Sequence, residues 1–150
     1  MNRTSARVRR AWITAAVLVL AGAIGATLWL QRSSNSGQPT GISIQTIRAG
    51  DLDIVVSAPE GTLRTGRAEF TLQFREAATG EVVDVGTVGV AAVMSMPGMV
   101  MPGNVEVTPT GSVGEYIARG QFGMAGAWNM TIDWNGPAGQ GTATFDGTVQ

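Results

Sequence analysis

Residues 68–75 read Ala-Glu-Phe-Thr-Leu-Gln-Phe-Arg, and this stretch decides the fold. Apolar side chains occupy every second position, so an extended chain puts Ala68, Phe70, Leu72 and Phe74 on one face. Glu69, Thr71, Gln73 and Arg75 then fall on the other. The same period recurs on both sides. Leu52, Ile54 and Val56 precede it; Val88, Val90 and Ala92, then Val105 and Val107, follow. Tyr116, Ala118 and Phe122 come next, then Trp128, Met130, Ile132 and Trp134, and Ala143 with Phe145 closes the series. Turn-forming stretches such as Ala78-Thr79-Gly80 and Asn135-Gly136-Pro137 separate the runs. No helical period appears after residue 41. About seven amphipathic strands within residues 42–150 predict an all-β domain, an immunoglobulin-like β-sandwich whose two sheets share one core.

Upstream the texture differs. Ala11–Leu30 is an uncharged run of roughly the 20 residues that a helix needs to cross about 30 Å of hydrocarbon. Trp12 and Trp29 stand near its ends, where amphipathic rings favour the headgroup zone. Arg3, Arg7, Arg9 and Arg10 precede the run, and Arg32 follows it closely. This asymmetry predicts a cytoplasmic N-terminus (residues 1–10), one transmembrane signal-anchor helix (11–30) and an extracytoplasmic main domain, periplasmic or extracellular. A cleaved signal peptide is the rival, but its apolar region is usually about 7–15 residues. The run's length and its flanking Trp pair favour the anchor. Residues 31–41, rich in Ser, Gly and Pro, are expected to tether the helix to the domain.

Composition excludes much chemistry. Of 150 residues none is Cys, His or Lys. Ser-His-Asp and Cys-His catalysis, His/Cys zinc sites and disulfides are therefore closed to this chain. All basic residues are Arg, and residues 33–150 carry five of them against eleven acids. So acidic a domain does not attract phosphate backbones, and nucleic acid is not an expected partner. The acids Asp51, Asp53, Glu60, Glu76, Glu81 and Asp84 form no spaced pair for acid–base work and are expected on a solvated face. With no nucleophile–base pair visible, the chain is not expected to be an enzyme.

One chemical signal remains. Residues 94–104, MSMPGMVMPGN, hold Met94, Met96, Met99 and Met101 around two Pro-Gly steps, and Met124 follows in FGMAGAW. Pro fixes φ near −65°, and a Gly after it supplies the positive φ of a type II turn. Met96 and Met99 then become the first and last turn residues, with Cα atoms under about 7 Å apart. Met94 shares a strand face with Met96. A second turn is expected at Pro102-Gly103. Thioether sulfur is neutral and soft, and suits Cu(I) far better than Zn(II), Mg(II) or Ca(II). Met94, Met96, Met99, Met101 and Met124 are thus candidate Cu(I) ligands. Methionine also packs irregular gaps and makes adaptable contact surfaces, so a non-catalytic interaction module of a membrane complex is the alternative. Met130 shares a stripe with Trp128 and Ile132 and is expected in the core.

Several stretches in order resemble a known family. Leu63-Arg64-Thr65-Gly66-Arg67-Ala68-Glu69-Phe70-Thr71-Leu72 resembles the opening strand of YtkA-like domains, and MSMPGMVMPG resembles their Met-Pro loop. Gly114-Glu115-Tyr116 and Met124-Ala125-Gly126-Ala127-Trp128 are similar to their closing G-x-Y and M-x-G-x-W elements. The resemblance covers about residues 50–135. FixH-like proteins share the layout of one membrane helix and an outer β domain. The resemblance implies an immunoglobulin-like sandwich outside the membrane, beside copper-handling or respiratory-oxidase assembly partners. It also carries a ligand role to Met96, Met99, Met101 and Met124. Histidine, found in copper-binding relatives, is missing here, so no Cu(II) role is implied.

Overall fold

A computed structural model describes residues 41–150 of the chain. The cytoplasmic N-terminus, transmembrane helix and tether expected from the sequence fall, but for residue 41, outside the described residues. Among the described residues no helix is long and apolar enough to cross a membrane.

Eight strands make up the domain: β1 (Ile42–Ala49), β2 (Leu52–Ala58), β3 (Gly66–Glu76), β4 (Thr87–Met96), β5 (Met99–Pro109), β6 (Glu115–Phe122), β7 (Gly126–Gly136) and β8 (Gly139–Val149). They pair antiparallel in the order β1-β2-β3-β6-β5-β4-β7-β8. The all-β expectation holds, but the two sheets expected are layers of a single eight-stranded sheet, and two corrections follow. There are eight strands, not about seven. Nor are the layers separate ladders, because β5 serves both: Met99–Gly103 pair with β4 and Asn104–Pro109 with β6. The strand runs out of one layer into the other at Gly103. The Leu63 segment nearly closes the remaining gap, bridging Val149. There the Gln150 amide donates to Leu63 O at 2.8 Å, and the Thr65 amide to Gln150 O at 2.7 Å.

The additional strand is β1, whose residues are mostly exposed. A register shift between Ser43 and Gln45 breaks its alternation. Ile42, Ile44 and Ile47 therefore do not keep one phase, and the period of two is lost where a single bulged residue is inserted.

Elsewhere the alternation places the apolar side chains as read, but in β3 Thr71 and Gln73, on the face opposite Phe70 and Leu72, are buried as well. Ile54, Val56, Phe70, Leu72, Phe74, Ala118, Phe122, Trp128, Met130 and Ile132 are all completely buried. Two aromatic groups join the layers. Phe74 of β3 meets Tyr116 of β6 edge-on at 5.7 Å and Trp134 of β7 at 5.8 Å. Phe122 of β6 meets Trp128 of β7 at 5.1 Å. Such edge-to-face pairs add about 0.5–1.5 kcal/mol to the area they bury. The Tyr116 hydroxyl donates to Gly86 O at 2.7 Å and anchors the loop before β4. Burial, then the nearby Asp84 carboxylate, pushes its pKa above the ordinary 10.0.

Candidate metal site

The hairpin of β4 and β5 carries four of the five candidate methionines. Its turn is Pro97-Gly98, flanked by the facing pair Met96 and Met99. Gly98 has φ of 80°, the value that the third residue of a type II turn requires. Behind the turn, Met94 faces Met101. Directly opposed residues share a face, and so do residues two apart along one strand. All four side chains therefore project from the same side of the hairpin, with facing Cβ atoms about 4.5–5.5 Å apart. Val93, Ser95, Val100 and Pro102 occupy the other side.

That shared side turns inward. Met94 is buried, Met96 and Met101 are half-buried and pack on the core, and Met99 at the tip is 57% exposed. The block thus grades from core to solvent over a single turn of chain.

The second Pro-Gly step is not a turn, which corrects the sequence expectation. Pro102 and Gly103 lie inside β5, opposite Val93 and Ala92. Gly103 lies where a Cβ would be only 3.1 Å from both Ala92 Cβ and Trp128 Cζ3. The glycine here makes room for the indole; it does not bend the chain. Pro102 is tolerated because this half of β5 is paired on its β4 side alone, so a missing N–H has an open edge to face.

The connection between β6 and β7 supplies the fifth methionine. Met101 Sδ comes within 3.5 Å of where a Gly123 Cβ would sit, and Met94 Cε within 2.7 Å of the same position at Gly126. Met124 lies between these two glycines in sequence and is 42% exposed. Its carbonyl accepts a hydrogen bond of 3.1 Å from Trp128 Nε1, which ties this segment to the core. Met94, Met96, Met99, Met101 and the Met124 segment thus gather at one end of the domain. Met130 stands apart in the core against Gly147, as its stripe predicted. Gly123, Gly126 and the Trp128 indole were not singled out as site-builders by the sequence; the M-x-G-x-W spacing held Gly126 and Trp128, and Gly123 directly precedes it.

The surroundings are electrically plain. No residue from 94 to 104 or from 122 to 132 is ionisable. Among the described residues no group of three or more carboxylates could hold a metal ion. The donor set fits a soft monovalent ion and no hard divalent one. Charge sits elsewhere, in a groove of about 580 Å³ on the outer face of β3, β6 and β5. There Arg119 Nε donates to Glu69 at 2.9 Å, with both side chains about half exposed.

The family model for YtkA-like domains matches residues 48–133, more than half of the chain and all of the elements that build this site. The chain belongs to the YtkA-like family. The match brackets the β4–β5 hairpin and the M-x-G-x-W segment, so the site is made entirely from the family's own region. No curated protein gives a significant match. Among solved structures, a DUF4426 family protein from Pseudomonas aeruginosa is 16% identical, with a TM-score of 0.45 over 69% of this chain and 94% of its own. FetP of uropathogenic Escherichia coli is 11% identical, with a TM-score of 0.46 over 74% and 94%. A copper-bound variant of FetP is 10% identical, with a TM-score of 0.45 over 73% and 95%.

Proposed function

We propose that this YtkA-like protein is a membrane-anchored, extracytoplasmic copper-binding protein that binds or relays Cu(I) through its methionines. It serves copper handling or respiratory-oxidase assembly and carries out no turnover chemistry. Met96 and Met99 are the central ligands, with Met94, Met101 and Met124 in support. One observation carries the reading: the register of β4 and β5 puts four thioethers on a single hairpin face, beside a segment bearing a fifth. Neutral soft donors without an adjacent carboxylate or imidazole favour a monovalent coinage metal over the abundant divalent ions.

The test uses the full-length chain in detergent and a Cu(I)–chelator complex whose colour fades when copper is withdrawn. The wild type is expected to withdraw copper. The variant Met96→Leu/Met99→Leu/Met101→Leu, which keeps volume and apolarity but has no sulfur at these positions, is expected not to. Equal behaviour of the two proteins contradicts the proposal. The second reading, an interaction module, draws on the exposed Met99, Val100 and Met124 at the same end. Flexible apolar side chains there suit an adaptable contact. That reading gains if neither protein takes copper and the variant loses a partner of the membrane complex.

A further inference from the structure

The methionines of the domain differ in access to solvent in a way that holding a metal does not require. Met94 retains 5% of its surface and Met130 none, whereas Met99 and Met124 stand well exposed on the hairpin tip and the neighbouring segment. Conversion of thioether to sulfoxide follows access, and it replaces a flexible apolar group by a polar one. We infer that Met99 and Met124 form a paired oxidation site, through which peroxide switches the thioether site off. The oxidation pattern stands on burial alone; its consequence for metal rests on the Cu(I) reading.

The chemistry balances within one step. A sulfur lone pair attacks one peroxide oxygen, an S–O bond forms and the O–O bond breaks. Sulfur is oxidised by two electrons, peroxide is reduced, and the departing hydroxide takes a proton to become water. The sulfoxide is uncharged, but one sulfur lone pair is now bonded to oxygen and the other sits on an electron-poor sulfur that is a much weaker soft donor to Cu(I). Placement makes the change matter. Met99 faces Met96 across the turn, and Met124 follows Gly123, which Met101 Sδ approaches. Two of the five donors are therefore removed from the solvent side, while Met94 stays behind them. No ionisable residue lies among these positions to repel or recruit the oxidant.

The experiment treats the full-length protein in detergent with hydrogen peroxide and follows oxygen uptake at each methionine by peptide mass spectrometry. Ag(I), which does not cycle with peroxide as Cu(I) does, is the metal probe, titrated by competition with a chelator. Met99 and Met124 are expected to gain oxygen about tenfold faster than Met94 and Met130, which must await local opening. Ag(I) affinity is expected to fall about tenfold or more and to return after treatment with methionine sulfoxide reductases. In Met99→Leu/Met124→Leu, early oxygen uptake is expected to vanish. Equal rates at exposed and buried methionines overturn the inference. Selective oxidation with unchanged Ag(I) affinity overturns the switch and leaves the metal reading intact. Selective oxidation of a protein that never bound Ag(I) overturns the Cu(I) reading, and the switch with it.

Discussion

Gly126→Ala probes the link between fold and site. Gly126 opens β7 with φ of 139°, in a region that residues with a Cβ rarely adopt, and the new methyl would sit 2.7 Å from Met94 Cε. Two costs follow. Holding alanine in that backbone region costs on the order of 1–3 kcal/mol. The contact itself is cheaper, because the opposing atom is the free end of a flexible side chain, and Met94 can swing aside. The net loss is therefore about 2 kcal/mol. For a domain of this size that corresponds to a fall in Tm of roughly 8–16 °C. Swinging Met94 aside also removes it from the other thioethers, so Ag(I) affinity is expected to drop about tenfold. The assay is thermal unfolding by circular dichroism, paired with Ag(I) competition on the same protein. In a Met94→Ala background the contact disappears, and the same substitution should cost only the backbone share. Non-additivity of the two changes thus measures their contact. A Gly126→Ala protein that melts with the wild type and binds Ag(I) equally well would refute this description of the β6–β7 segment.

Other outcomes follow from the same geometry. Tyr116→Phe removes the bond to Gly86 O and should cost about 1–3 kcal/mol, since a carbonyl is left without its donor. Because the folded state raises the Tyr116 pKa, the wild type loses stability as pH climbs past about 10, where the unfolded tyrosine ionises first. In chemical denaturation, Tyr116→Phe should flatten that alkaline decline. Ser57 Oγ is buried without a partner among the described residues, so Ser57→Ala should leave stability unchanged or raise it by about 1 kcal/mol in urea titration. Gly141→Ala would place a methyl 2.4 Å from Trp134 Cζ2. Overpacking of this kind costs about 1–3 kcal/mol, and Ag(I) affinity should be unaffected because the aromatic group of Trp134 is distinct from the one beside the hairpin. Arg119→Ala breaks an exposed ion pair and should change stability by less than about 1 kcal/mol.

The sequence disclosed most of this fold because amphipathic strands announce themselves. Phe70, Leu72 and Phe74, or Trp128, Ile132 and Trp134, can share a core only if the chain is extended. It disclosed the Pro97-Gly98 turn for a similar reason, since proline and then glycine satisfy the two dihedral demands of a type II turn in order. The near-repeat at Pro102-Gly103 obeyed the same local rule and did something else. Glycine is also selected where a ring needs space, and the indole of Trp128 is distant in sequence from Gly103. β1 escaped notice because an exposed, bulged strand has no regular period. The passage of β5 between layers depends on which strands flank each half, a property of long-range pairing that no local pattern encodes. For the site, strand alternation alone brought Met94 beside Met96, while the neighbourhood of Met124 depended on Gly123, Gly126 and one indole hydrogen bond.

Copper K-edge absorption of the full-length protein loaded with one equivalent of Cu(I) tests the gathered thioethers most directly. An edge typical of monovalent copper with an all-sulfur nearest shell is the expected result, lost in Met96→Leu/Met99→Leu/Met101→Leu. A nearest shell of nitrogen or oxygen, or a protein that emerges from desalting without copper, would contradict it.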